Sequence, residues 1–298
     1  MVDIAVNAKL SSISESVETP LRRALRRLFR RKSAVFGLAI VVFFVALAVF
    51  APLLSPYDPT VQSWTLVRQE PSALHWFGTD DLGRDILARV IFGTRASLLA
   101  GVISVGIALS IGVPLGLAAG YLGGLLDALI SRMTDAMLAC PFLILAIALA
   151  AFLGPSLSNA MIAIGVTATP IFVRLTRGQV LVVKTEDYVE AARAVGNPRW
   201  RIVFVHILPN IMPALLVQAT LSIAAAIIAE AALSFLGLGQ QPPAPSWGSM
   251  LNSAQRFLVN APWMAVWPGL AIFLTVLSFN LVGDGLRDAL DPRDSGRG

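Results

Sequence analysis

Residues 186–209 read EDYVEAARAVGNPRWRIVFVHILP, a polar, two-part helical segment set between long apolar runs. Thr185 is placed to N-cap the first part, with Glu186 and Asp187 in a first turn where the helix dipole favours negative charge. Tyr188, Ala191, Ala192 and Val195 fall at i, i+3, i+4 and i+7, one apolar stripe. Gly196 suits the left-handed residue that ends a helix, Asn197 can cap the next one, and Pro198 fits its first position. Trp200, Val203, Phe204 and Ile207 repeat the spacing, and Pro209 is expected to break or kink the chain before the next run. Two short amphipathic helices joined by a sharp turn, outside the lipid, are what a membrane protein presents to a soluble partner.

The flanking runs set the class. Hydrophobic residues make up 56% of the chain, charged residues 14%, and the mean hydropathy is +0.74. A soluble core of this size does not need so much apolar sequence, so the expected fold is an all-α polytopic membrane protein. Charge-free stretches run 33–57, 96–126, 136–173, 207–229 and 257–283. A spanning helix needs roughly 20 apolar residues. The stretch 136–173 is too long for one, and Gly154-Pro155-Ser156 with Ser158-Asn159 divides it. Six helices are therefore predicted, near 34–54, 96–119, 128–152, 159–180, 209–235 and 262–284. The chain then divides into a tail with a basic helix (1–32), a first span (33–54), an outside loop (55–94), a core of five spans containing the 181–208 loop (95–288), and a second tail (289–298).

Charge gives the orientation. Lys and Arg crowd the first 32 residues and the 174–201 region, which places both termini and the 181–208 loop in the cytoplasm. In the basic helix opened by Pro20, Leu21, Leu25, Leu28 and Phe29 share a face among six arginines, suited to an anionic leaflet. Residues 1–18 are polar and expected to be flexible. The net charge of +5 needs no nucleic acid, because no basic surface is interleaved with stacking aromatics. The first apolar run is long enough to span and reads as an uncleaved anchor. Cys140 is alone, which excludes an intrachain disulfide and a thiol-based metal site; packing inside a span is its simplest role.

Other features are assigned by the same logic. Asp80, Asp81 and Asp85 miss the calcium-loop spacing and suit helix capping and polar contacts; no metal site is expected. Ser104, Ala108, Gly112, Gly116 and Gly120 recur every four residues, a small-residue stripe for close packing within the chain or against a sister subunit. Glu230 lies inside a span, where a charge is costly, and could line a substrate path or hydrogen-bond within the bundle. Arg132 with Asp135, and Asp284 with Arg287, are spaced to pair on one helix face. Trp247 and Trp263 suit a membrane interface.

Glu190, Ala191, Ala192, Gly196, Leu208 and Pro209 together resemble the EAA loop of the membrane subunits of bacterial ABC importers. His206 stands where the general pattern has Ile, and the form HILP resembles the dipeptide and oligopeptide branch, as do FGTDDLGRD after the first span and the segments 233–251 and 281–293. The likeness runs from about residue 30 to 293. It implies the type I ABC importer permease fold, in the bacterial inner membrane, with the C-type member of a permease pair the better match. Its partners are a second, similar permease, two ATP-binding subunits holding ATP and Mg, an extracytoplasmic binding protein, and membrane lipid. Glu190, Ala191, Ala192, Gly196, Trp200, Leu208 and Pro209 would then couple to the ATPase. The implied cargo is a dipeptide, oligopeptide or glutathione-like peptide, with nickel chelates and opine-like compounds as variants.

No GxxxxGK[ST] loop, HExxH or GxSxG occurs, so no catalytic residue or cofactor is expected in this chain and it is not read as an enzyme. An ion-coupled secondary transporter is the alternative from another class. It would call for intramembrane carboxylates at broken helices and an internal repeat; Glu230 is the one mid-membrane candidate.

Overall fold

A computed structural model describes residues 20–290, with side chains from residue 25 onward. The expectations for residues 1–18 and 291–298 lie outside that range. The described chain is helical, apart from one isolated bridge between Thr79 and Asp85. Helix α1 (Pro20–Arg30) leads into α2 (Lys32–Leu54). A loop then reaches α3 (Ile86–Leu122), followed by α4 (Gly124–Leu138), α5 (Phe142–Leu153) and α6 (Leu157–Val183). The short α7 (Asp187–Ala194) precedes α8 (Arg199–Phe235), then α9 (Trp247–Ala254) and α10 (Trp263–Leu290). Five of these helices are long and apolar enough to cross a membrane, and α4 with α5 makes a sixth crossing if taken as one bent span.

Helices α3 and α6 form the closest seam. A Cβ on Gly112 would meet the Phe172 Cβ at 2.7 Å, one on Gly116 the Thr176 Cβ at 2.5 Å, and one on Gly120 the Val180 Cβ at 2.8 Å. Small residues are required there because the two backbones leave no room for more. The stripe thus packs within the subunit, against α6, which decides between the two options open at the sequence level. Both series of numbers climb together, so α3 and α6 run parallel. The chain between them must therefore recross the bilayer, and α4–α5 does so as a broken helix bent by 91° at Ala139–Pro141. The straight helix predicted over 128–152 is corrected accordingly. Pro141 has no N–H to give to a continuous ladder and becomes the N-cap of α5. Cys140 sits half-buried in this bend, not in the body of a span.

Charged residues cross-link elements where same-helix pairs were expected. Asp127 on α4 receives Arg177 Nε at 2.5 Å and Nη2 at 2.8 Å from α6. Asp135 pairs with Arg174 at 2.7 Å, not with Arg132. No pair between Asp284 and Arg287 forms among the described residues; Asp288 instead takes Arg31, which ties α10 to the start of α2.

Helix α3 begins well before residue 95, so the outside loop is shorter than predicted and its end is buried helix. Asp85 caps it by accepting from the Ala88 N–H at 2.7 Å, and accepts from His75 Nδ1 at 2.9 Å. Asp80 accepts from the backbone N–H of Leu82 and Arg84, and from Arg84 Nε at 2.7 Å. Arg89 reaches Asp80 at 3.4 Å and donates to the carbonyl oxygens of Pro59 and Pro243, which joins two distant loops. Trp247 is wholly buried, contrary to an interfacial role: its ring packs edge-on against Phe44 and its Nε1 donates to Val90 O at 3.1 Å.

Candidate functional site

The segment between α6 and α8 carries the features singled out first. Thr185 does not cap α7; its hydroxyl donates back to Val182 O, and Glu186 occupies the N-cap without a side-chain bond. Gly196 has φ +79°, and the Gly196 N–H bonds Arg193 O while the Asn197 N–H bonds Ala192 O. That pair of bonds is a Schellman ending, which satisfies carbonyls a helix otherwise leaves open. Asn197 also gives its side-chain amide to Ala192 O, so it closes α7 and leaves Pro198 as the N-cap of α8.

The second amphipathic piece is not a separate short helix. From Arg199 the chain runs helically to Phe235, through a wide π-type stretch at Ile202–Ile207. In that stretch the Leu208 N–H reaches Val203 O, five residues back. Pro209 lacks the N–H for the four-residue bond, and the wider turn relieves the clash of its ring with the preceding carbonyl. The helix therefore passes Pro209 without a break.

Burial separates the two faces of the segment. Val189, Ala192, Ile202 and Ile207 are buried against the bundle, whereas Tyr188, Ala191, Val195, Trp200, Phe204 and Val205 are exposed. Val195 is 77% exposed and Trp200 64%. Of the predicted stripes, Ala192 and Ile207 turn inward, Val203 is half-buried against the core, and the others turn out. Glu190, Gly196 and Pro209 are exposed as well, and Leu208 is half-buried. Val189 was missed, although its spacing of three from Ala192 marks an inward edge. Desolvation first, and the Glu186 charge second, raise the Tyr188 phenol above its ordinary pKa, so it is neutral at physiological pH.

Two cavities flank this segment. An apolar groove of about 630 Å3 lies between the second half of α3 and the first half of α8, with Leu117, Trp200, Phe204 and Leu208 among its walls. A polar pocket of about 590 Å3 adjoins it, lined by Lys184, Glu190, Arg193 and Arg199. Tyr121, Leu122 and Arg199 belong to both.

Glu230 lies far from these cavities. It has no exposed surface, accepts from Ser97 Oγ at 3.0 Å and from Ser234 Oγ at 2.6 Å, and so ties α8 to α3. Within this subunit its side chain is enclosed. Its carboxylate oxygens are taken by serine hydroxyls, the condition under which a buried acid is tolerated.

The described helices thus form a multi-span membrane bundle with its long loops at one end and an exposed apolar helical turn at the other. The chain belongs to the family of binding-protein-dependent transport system inner membrane components, whose pattern matches residues 112–295; that of the N-terminal TM domain of oligopeptide transport permease C matches residues 19–71. It is 51% identical over 277 residues to the dipeptide transport system permease protein DppC of Alkalihalophilus pseudofirmus, covering 92% of this chain and 90% of that protein. Identity to the glutathione transport system permease protein GsiD of Pectobacterium atrosepticum is 47% over 280 residues, covering 94% and 93%. The fold is shared with a chain of the inward-facing MetNI methionine ABC transporter, with TM-score 0.58 at 22% identity, over 69% of this chain and 98% of that one. This chain is thus a multi-pass permease of the bacterial inner membrane, of the kind that works with ATP-binding subunits and a substrate-binding protein.

Proposed function

We propose that the chain forms half of the translocation pathway of a peptide importer and that residues 184–207 transmit ATP-driven motion to it. The observation that carries this reading is the exposed apolar surface of Tyr188, Ala191 and Val195 on a turn fixed by Gly196. Such a surface outside the lipid suits a groove on an ATP-binding subunit, two of which would hold ATP and Mg. Ala191 and Gly196 would meet that groove, with Glu190 and Trp200 at its border beside the two cavities, while Ala192 and Leu208 anchor the turn to the bundle and Pro209 sets the wide turn. A second, homologous permease completes the pathway, and both termini lie in the cytoplasm with this turn. The dipeptide and glutathione permeases among the relatives support a di- or oligopeptide or a glutathione-like cargo, selected by the extracytoplasmic binding protein.

Gly196→Val tests the coupling role. A Cβ there would meet nothing within 4 Å, so only the left-handed backbone resists the change. Membrane insertion and assembly should persist while peptide uptake by cells depending on this permease is lost. Normal uptake by that variant would sink the proposal.

A further inference from the structure

We infer that the groove between α3 and α8 and the pocket beside it form a single site for an anionic phospholipid. The two cavities are continuous, since Tyr121, Leu122 and Arg199 line both. Their chemistry changes along the length as a lipid's does. Val113, Leu117, Leu208 and Leu216 give the groove a hydrocarbon wall, suited to acyl chain and not to water. The adjoining pocket sets Lys184, Arg193 and Arg199 against one carboxylate, Glu190.

The cations are placed where a headgroup would lie. Lys184 Nζ is held at the rim by Gly120 O at 2.9 Å, and the Arg193 guanidinium sits over the Tyr121 ring, 5.7 Å from its centroid. Neither Arg193 nor Arg199 enters an ion pair among the described residues. A basic pocket between membrane helices, opening at one end of an apolar groove, selects a phosphate attached to hydrocarbon. A free phosphate would gain nothing from the groove. The site abuts the Gly196 turn, so an occupied groove would brace α7 and the base of α8. Lipid binding requires only the membrane helices; naming the leaflet cytoplasmic rests on the orientation proposed above.

Trp200 lines the groove and reports on its contents. The complex isolated from its own membranes would be reconstituted with brominated phosphatidylglycerol or brominated phosphatidylcholine, and the Trp200 contribution taken as the difference from Trp200→Phe. Preferential quenching by the phosphatidylglycerol is expected, by about fivefold for each cation engaged. Arg193→Gln with Arg199→Gln should cut the preference to what Lys184 alone supplies, about fivefold at most, and the corresponding Lys substitutions should retain it in full. Equal quenching by both lipids overturns the headgroup site. Absence of quenching by either shows the groove sealed by another protein chain and overturns the proposal as well. Loss of peptide uptake does not enter either result, so the outcome is independent of the transport reading.

Discussion

The two ends of the bundle are finished in opposite ways. At the loop-rich end, Asp80, Arg84 and Arg89 are each about 5% exposed and knit residues 59, 80 and 243 together, while Trp247 and Glu230 are sealed beneath them. At the other end, charges pair in the open, as Arg174 and Asp135 do with 62% of each side chain exposed, and large apolar side chains stand unburied on a turn. One end buries its central charged cluster, although Trp64, Leu74 and Trp76 stand exposed on its loops and Asp81 Oδ1 has no hydrogen-bond partner. The other leaves apolar area that only a partner can remove from water. The contrast separates residues that hold the fold from residues that work on something else.

Asp80→Ala should have the largest effect, because it strips the carboxylate from buried Arg84 and Arg89. Removing one partner from a buried ionic cluster costs about 3–5 kcal/mol. A thermal melt of the detergent-solubilised complex should show it, and an unchanged midpoint would mean that the loop-rich end is not the rigid one. Gly116→Leu comes next, at about 1–3 kcal/mol for overpacking, since even a Cβ placed there would meet Thr176 Cβ at 2.5 Å and Val173 O at 2.8 Å. Its melt should fall together with its yield in the membrane.

Gly196→Ala then sharpens the difference between the ends. Forcing a Cβ into the left-handed region costs about 1–2 kcal/mol. That strain falls on an exposed turn, so uptake should fall several-fold more than the melting point would suggest; parallel losses would make Gly196 a merely structural residue. Arg174→Ala should be the smallest, at most about 1 kcal/mol for an exposed ion pair, and its melt should become indistinguishable from the parent in high salt.

Much of this architecture was readable because membrane helices announce themselves by length and absence of charge. The stripe at 104–120 and the turn at Gly196 were readable too, since each follows from a local rule about Cβ volume or backbone sign. Other features depend on neighbours distant in the chain. Asp135 prefers Arg174 to the nearby Arg132 because α6 crosses α4 there. Trp247 is buried because Gly93 and Phe44 make room for it. Thr185 and Asn197 have capping side chains, but a cap is assigned by geometry, and both bond backward instead of forward. Pro209 was expected to break or kink the chain, and one extra residue in the turn before it lets the helix continue. The faces of the candidate site divided where a three- and four-residue count could not: Val189 and Ile202 look inward, and the basic pocket needs α3 and α8 side by side.

The unbroken course of α8 has a mechanical consequence. From Trp200 to Glu230 the rod is roughly 45 Å long. Near its far end the Ser97–Glu230 tie pins it to α3, while its near end carries the exposed turn. A thrust of about 5 Å at Trp200 would therefore swing the rod by only about six degrees, with displacement shrinking steadily toward the pin. A stroke delivered below would thus be spent in the lower half of the molecule and leave the upper half nearly still, so the length of one helix sets the gearing.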